Sequence, residues 1–187
     1  MAEQSTHALV NNHTASATSK SFWKMRRPLL IKMAVTAAVI TAAGYAFTVR
    51  YHIGLDTQEV KCIGNYSFFL VDRHNTTLER GSIYAFEARG VAPYFDEGTH
   101  MVKILLGVPG DHVAITEDAV IMVNGEEVAT GLALAEDLGV DPAAFMGETV
   151  LKEGHYWFMG ESGVSFDSRY WGTVHEEQVI GRAYPLI

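Results

Sequence analysis

The stretch HMVKILLGVPGDHVAITEDAVIMVNGEE, residues 100–127, decides the fold class of this chain. It contains three apolar or alternating runs typical of short β-strands, at residues 100–108, 111–117 and 119–125. GVPGD makes a tight turn after the first run, and Asn124-Gly125 is the strongest short-range signal for a β-hairpin. The stretch therefore predicts consecutive antiparallel strands.

Further runs of the same character lie on both sides, at residues 66–72, 82–88, 155–161 and 179–187. Together they predict a mainly β domain over residues 51–187. The exception is the Ala- and Leu-rich segment 129–149, in which Asp141 can cap a helix that begins at Pro142. We predict one or two short helices inserted there between strands.

The first 50 residues differ in composition from the β domain. Residues 1–27 are polar and rich in Ser, Thr and Asn, which predicts a disordered tail. Residues 28–50 include MAVTAAVITAAGYAFTV, an uncharged run that predicts a transmembrane anchor. Basic residues precede this span, so the positive-inside rule predicts a cytoplasmic N-terminus and a β domain outside the cytoplasm. A cleaved signal peptide is the alternative, because TAAGYA offers small residues for cleavage.

Charge is distributed unevenly along the chain. Residues 1–49 hold five basic residues and one acidic residue, whereas residues 50–187 hold nine basic and twenty-one acidic residues, a net charge of −12. An acidic domain repels phosphate backbones, which argues against a nucleic-acid partner, while the basic segment favours contact with anionic lipid. The eight histidines are scattered and no phosphate-binding loop occurs, so neither a metal nor a cofactor is predicted.

Lys103 is the first candidate for chemistry. It lies in an otherwise apolar run and has the same strand parity as Leu105. Two interpretations remain open. The side chain reaches the surface along its apolar stem, or it is buried, and burial favours the neutral amine that can act as a general base.

A second polar cluster is GESGVSFDSRYWG, residues 160–172. Asp167 and Arg169 can form an ion pair, and the Ser165 hydroxyl is free to orient a neighbouring group. A polar loop with an internal ion pair is the simpler interpretation.

Cys62 is the only cysteine of the chain, so it cannot form an internal disulfide. It lies just before an apolar run and either fills a small buried space or reacts. A thiol ionises nearer neutrality than a lysine ammonium and is more nucleophilic than a serine hydroxyl, so a reactive role is chemically sound.

These segments, in this order, resemble the S26 family of membrane-anchored signal peptidases, which use a serine–lysine dyad. RGSIYAF (80–86) resembles a strand motif of the family, VKILLGVPGD its lysine motif and SFDSRYWG its last motif, while CIGNY lies where the serine motif belongs. The resemblance covers about residues 28–187 and implies a signal-peptidase-like β domain. It implies that Cys62 stands in place of the nucleophilic serine, Lys103 is the base and Ser165 orients it. It assigns supporting roles to Asp167 and Arg169 in the last loop and to Gly107, Pro109, Gly110 and Asp111 in the turn after the lysine strand.

The motif SFDSRY and the short chain are most similar to the conjugation branch of this family often called TraF, whose members mature pilin subunits. This resemblance implies a membrane-inserted pilin or other precursor peptide as substrate and conjugation proteins as further partners. It also implies a single-pass protein of the bacterial inner membrane with a periplasmic β domain. Besides the exchange at Cys62, the proline of the serine motif is missing, Val60 stands where a serine often helps bind the oxyanion, and Ile104 stands where an arginine often follows the lysine. A thioester at Cys62 is readily attacked by amines, so the exchange favours joining of pilin ends over hydrolysis.

Three alternatives stay open. Ser67 is a rival nucleophile, although it falls inside a predicted strand. Cys62 is inert packing in the second alternative, and the chain is then a catalytically inactive, membrane-tethered component of a conjugative secretion apparatus. A housekeeping signal peptidase is the third, and it fits less well with the missing serine and the short chain.

Overall fold

The computed structural model describes the backbone of residues 4–186 and the side chains of residues 26–186. The chain forms two compact units, Met1–Val49 and Arg50–Ile187. The boundary between the two units coincides with the change in composition near residue 50. The first unit is helical and the second is the β domain.

One long helix, α1 (Gln4–Arg50), makes up the first unit. Its segment Arg26–Arg50 is long and apolar enough to cross a membrane by length and composition, and none of it is buried. The backbone of the tail predicted to be disordered over residues 1–27 is helical from Gln4 onward, while residues 1–3 lie outside the described residues. No glycine or proline occurs before Pro28, so nothing in the backbone chemistry of this segment interrupts the helix.

Within residues 50–186, the second unit contains eleven strands in two antiparallel sheets. The strands are β1 (Tyr51–Leu55), β2 (Phe68–Asp72), β3 (Ile83–Glu87), β4 (His100–Gly107), β5 (His112–Ile115), β6 (Val120–Val123), β7 (Glu126–Thr130), β8 (Gly147–Val150), β9 (His155–Met159), β10 (Val174–His175) and β11 (Val179–Pro185). The larger sheet has the order β1-β2-β11-β3-β4-β9-β10, and the smaller has the order β7-β6-β5-β8. The short helices are α2 (Ser168–Trp171) and the 3₁₀ helices Pro142–Phe145 and Glu176–Gln178.

Every run that the sequence predicts as a strand contains one, and the mainly β fold class is confirmed. Asn124 and Gly125 form the predicted two-residue hairpin turn between β6 and β7. Their φ angles are 53° and 81°, the left-handed values that a type I′ turn requires at both positions. The strands that the sequence did not predict are β1, β7, β8 and β10. The first three have no buried residue, and β10 is only two residues long, with Val174 buried.

The helical insertion predicted over residues 129–149 is much smaller than expected. Within this segment only Pro142–Phe145 is helical, and the predicted cap is present because the Asp141 carboxylate accepts a backbone hydrogen bond at 2.9 Å. The end of the segment forms β8, which pairs with β5. Hydrogen bonding to a neighbouring strand, together with Gly139 at a φ of 65°, outweighs the helix propensity of the Ala- and Leu-rich composition.

Buried apolar side chains form three clusters in the β domain. One fills the larger sheet around Tyr84, Phe86, Leu105 and Phe158. Another lies between the smaller sheet and β9. The third lies against β2, β3 and β11, and its buried members are Cys62, Ile63, Phe69, Val71, Ala85 and Ala183. Cys62 is therefore embedded in the edge of a core.

Candidate active site

Lys103 is buried in the middle of β4. The strand alternates between buried and partly exposed side chains, and Lys103 lies on the buried face with Met101 and Leu105. Only 4 % of the residue is exposed, so the interpretation in which the lysine reaches the surface is wrong. Its Nζ donates a hydrogen bond of 2.8 Å to Ser165 Oγ. The lysine amine is therefore buried and held by the serine hydroxyl.

Ser165 lies in a loop that is held by the Asp167–Arg169 ion pair. Arg169 Nε and Nη2 each donate to the Asp167 carboxylate at 2.8 Å, and both side chains are buried. The same guanidinium donates to the backbone carbonyls of Ser162 and Ser165, at 3.2 and 3.1 Å. Asp167 also accepts from the Gly160 amide at 3.0 Å. The predicted ion pair is therefore present, and it fixes the backbone on both sides of the loop.

Two opposing effects act on the pKa of Arg169. Burial alone lowers the pKa of Arg169, but the hydrogen bond and the charge of Asp167 outweigh burial and raise the pKa above its ordinary value. The guanidinium therefore remains charged and keeps all its donors available to the loop.

Removal of the negative partner is expected to destabilise the fold. Asp167→Asn leaves the Arg169 guanidinium buried without a counter-charge, and breaking a buried pair from one side costs about 3 kcal/mol or more. Asp118→Asn is the matched control, because Asp118 is exposed and its loss of charge is expected to change stability by about 0.5 kcal/mol or less. Urea unfolding of the full chain in detergent measures both variants. Equal free energies of unfolding for the two would contradict a structural role for the pair.

Cys62 lies in the segment that connects β1 and β2, and it is 8 % exposed. Its thiol donates a hydrogen bond of 3.2 Å to Gln58 Oε1. Its carbonyl oxygen accepts from the Glu161 amide at 2.7 Å, and the Glu161 carboxylate in turn accepts from the Gly64 amide at 2.7 Å. The turn that carries the cysteine is thus tied to the start of the loop that carries Ser165.

One cavity of about 320 Å³ is lined by both Cys62 and Lys103. Its walls are largely apolar, with side chains from β2, β3 and β4, namely Phe69, Val71, Ala85, Met101 and Val102. Within residues 26–186 the structure has no hydrogen bond between Cys62 and Lys103, whose polar partners are Gln58 and Ser165 respectively. Cys62 and the buried Lys103 therefore line one largely apolar cavity, and the Ser165 hydroxyl holds the lysine amine.

Comparison with known proteins assigns the family. The family model for signal peptidases of peptidase family S26 matches residues 26–187. The chain belongs to this family. S26 relatives include a probable signal peptidase I-2 from Synechocystis sp., 30% identical over 107 residues that cover 57% of this chain and 46% of the relative. Signal peptidase IB of Staphylococcus aureus is 30% identical over 122 residues, covering 56% and 58%, and signal peptidase I of Pseudomonas fluorescens is 27% identical over 142 residues, covering 58% and 48%.

The chain spans about half the length of the curated S26 relatives that it matches. Among solved structures, a signal peptidase I from Enterococcus faecalis is 24% identical, with a TM-score of 0.36, and the alignment covers 57% of this chain and 96% of that one. The membership therefore rests on the family model and on the sequence relatives.

The residues that the S26 resemblance places in the turn after β4 lie apart from the cavity. Gly107 packs tightly, since a Cβ there would come within 2.9 Å of Leu151 and Trp157. Gly110 adopts a φ of 90°, which accommodates the turn after Pro109. Gly107, Pro109, Gly110 and Asp111 are absent from the cavity lining. They shape the end of the lysine strand.

Asp111 anchors this turn through three hydrogen bonds. Its carboxylate accepts from Arg80 Nη2, the Val108 amide and Asn124 Nδ2, at 2.8, 2.6 and 2.7 Å. Burial raises the pKa of Asp111, but these donors outweigh burial and hold the pKa below its ordinary range. The carboxylate joins the lysine strand to the β6–β7 hairpin.

Ser67, the rival nucleophile, precedes β2 rather than lying inside it, because β2 begins at Phe68. The serine is not among the cavity-lining residues. Among the described residues, no group of three or more His, Cys, Asp or Glu side chains is arranged to hold a metal ion.

Gly160 is a site residue that the sequence analysis missed. A Cβ at this position would contact Ser165 Oγ and would come within 2.9 Å of the Cys62 carbonyl oxygen. Only a residue without a side chain lets the serine and the cysteine turn come so close together. The signal in the sequence was the glycine at the end of β9, but glycines are common at strand ends and the steric role needs the three-dimensional arrangement.

Replacement of this glycine is expected to damage the site without removing any chemical group. Gly160→Ala displaces Ser165 from Lys103, and a misplacement of about 1 Å costs about 100-fold in rate. Gly163→Ala is the matched control in the same loop, because a Cβ there meets no atom within 4 Å. Turnover of a precursor peptide by the two purified variants is the measurement. Equal rates would show that the close approach at Gly160 is unimportant.

Proposed function

We propose that this protein is a membrane-anchored S26-type peptidase in which Cys62 is the nucleophile and Lys103 the general base. The observation that carries the proposal is the buried hydrogen bond between Lys103 Nζ and Ser165 Oγ at a cavity that Cys62 also lines. Ser165 holds the buried lysine amine in one orientation, as a positioned general base requires. The family membership supports a peptidase reaction.

The reaction runs in two steps. Lys103 takes the proton of the Cys62 thiol, and the sulfur attacks the carbonyl carbon of the scissile peptide bond to form a tetrahedral intermediate. The protonated lysine then gives its proton to the departing amine, and a thioester remains on Cys62. Lys103 then takes a proton from the water or second amine that attacks this thioester, the carbon–sulfur bond breaks, and the Cys62 sulfur receives that proton and becomes a thiol again. The thiol donates to Gln58 in this structure, so the first step requires its side chain to turn toward Lys103.

The substrate of the proposed enzyme is a membrane-inserted precursor peptide, with a pilin of a conjugation system as the favoured member of this class. The apolar walls of the cavity suit a small apolar side chain next to the cleaved bond. The candidate span Arg26–Arg50 supports a chain tethered to a bilayer. The proposed location is the inner membrane with the β domain in the periplasm, because basic residues precede the span. The thioester favours transfer to an amine, so joining of the pilin ends is the proposed outcome.

A second function, that of a catalytically inactive tethered component of a conjugative secretion apparatus, is favoured by one observation. The thiol is hydrogen-bonded to Gln58 and not to Lys103, which is the arrangement expected of a cysteine that only fills space. In that case the cavity is a binding site for a peptide that is never cut.

The two functions are separated by the masses of the products formed from a pilin precursor of the same bacterial host. The full chain in detergent is incubated with this precursor and the products are weighed. A peptide joined end to end supports the transfer reaction, whereas products that have gained only water support a hydrolase and contradict the joining step. An unchanged precursor, together with slow alkylation of Cys62, contradicts the enzyme and supports the inactive component.

A further inference from the structure

Gln58 is a polar residue of the site to which neither the family resemblance nor the proposed reaction assigns a role. Its Oε1 accepts the hydrogen bond of the Cys62 thiol at 3.2 Å, and the residue lines the same cavity as Cys62 and Lys103. Hydrogen bonds to Asp56 hold the backbone around Gln58. The backbone N–H of Gln58 donates to Asp56 Oδ1 at 2.9 Å, and Lys61 Nζ donates to the Asp56 backbone carbonyl at 2.8 Å.

The proposed reaction needs hydrogen-bond donors for the negative oxygen of the tetrahedral intermediate. One donor is available at the nucleophile itself. Within residues 26–186 the backbone N–H of Cys62 donates to no protein group, while its carbonyl oxygen is held by the Glu161 amide. The residue two positions before, Val60, is 56 % exposed and has an apolar side chain that donates nothing. The second donor is missing from the position at which the family often has a serine.

We propose that the Gln58 side-chain amide is this second oxyanion donor. The inference rests on the proposed function, because it concerns the intermediate formed at Cys62. A glutamine carries an acceptor and two donors on one planar group, so its Nε2 lies close to the thiol whenever Oε1 does. Rotation about the last side-chain bond exchanges the two atoms without moving the rest of the residue.

The rotation is favoured by the transfer of the thiol proton in the first step of the proposed reaction. While the thiol is protonated, Gln58 Oε1 accepts its hydrogen bond. When the proton passes to Lys103 Nζ, the sulfur can only accept, so the amide gains by presenting Nε2–H. The substrate carbonyl oxygen becomes negative as its carbon bonds to the sulfur, and it then receives hydrogen bonds from Nε2 and from the Cys62 amide. No bond to Gln58 forms or breaks.

Two reactions of Cys62 distinguish this role from a simple contact. Alkylation by iodoacetamide requires a reactive thiol but forms no oxyanion, whereas acylation by p-nitrophenyl acetate passes through one. Both rates are measured at Cys62 by mass spectrometry on the full chain in detergent. Gln58→Met keeps the length of the side chain and removes the donors without adding a charge, and Gln58→Ala removes the group. Glu59→Ala, next to it and outside the cavity lining, is the control.

Loss of one oxyanion donor is expected to slow acylation by about 100-fold in both Gln58 variants. Alkylation is expected to change less than about threefold, and Glu59→Ala is expected to change neither rate. Acylation at the wild-type rate in the Gln58 variants overturns the inference, and so does a parallel fall of both rates. These results leave the proposed function intact. A wild-type Cys62 that iodoacetamide alkylates no faster than an ordinary thiol overturns the proposed function and the inference together.

Discussion

Cys62→Ala is expected to abolish measurable turnover of a precursor peptide. Alanine has no group that can attack a carbonyl, and removal of the nucleophile in a comparable catalytic unit costs about 10⁶-fold. The fold is expected to tolerate the change, because the cysteine is a small residue at the edge of a core cluster. The measurement is the release of product from a pilin precursor by the purified full chain, followed by mass spectrometry.

Two further variants make this result specific. Cys62→Ser places the nucleophile of the S26 relatives at the same backbone position and is expected to retain hydrolysis while losing end-to-end joining, because an ester is attacked by amines less readily than a thioester. Ser67→Ala is the control for the rival nucleophile and is expected to have wild-type activity, since Ser67 does not line the cavity. Activity that survives Cys62→Ala and disappears with Ser67→Ala would transfer the nucleophilic role to Ser67.

Lys103→Met is expected to lower turnover by about 1,000-fold, within the range for loss of general acid–base catalysis. Methionine fills most of the same buried space on β4, so the variant removes the amine without opening a large cavity. The effect is expected on alkylation of Cys62 as well as on turnover, because in the proposed reaction the amine takes the thiol proton.

Lys152→Met is the matched control for this change, since Lys152 is exposed and lies outside the cavity lining. Its turnover and its alkylation rate are expected to equal those of the wild type. If Lys103→Met retained turnover within a few-fold of the wild type, Lys103 would be a structural residue and the base would have to be sought elsewhere on the cavity wall.

The sequence predicted the strands well because an antiparallel domain has a period of two. That period places Lys103 on the same face as Leu105, and burial then follows from the sheet. The exposed strands were not predicted because they lack an alternation of buried and exposed side chains. β8 is exposed at every position, so its pairing with β5 leaves no alternation in the sequence. In the segment 129–149, helix propensity was a misleading guide because it is weaker than strand pairing.

From local sequence patterns, only contacts between residues close together in the chain could be predicted. The Asp167–Arg169 pair is two residues apart, and its chemistry alone suggests an ion pair. The contact of Lys103 with Ser165 joins residues 62 positions apart, and the family resemblance rather than any local pattern implied it. Gly160 and Gln58 have roles that depend on which atoms surround them, so no residue-type rule could find them in advance.

The hydrogen bonds between the Cys62 turn and the loop before Ser165 have a consequence for local unfolding. The Glu161 amide holds the Cys62 carbonyl, the Glu161 carboxylate holds the Gly64 amide, and the Gly160 amide is held by Asp167. The two segments are expected to open together, so Cys62 and Ser165 belong to one cooperative unit. The amides of Gly64, Gly160 and Glu161 are therefore expected to exchange with deuterium at a common opening free energy.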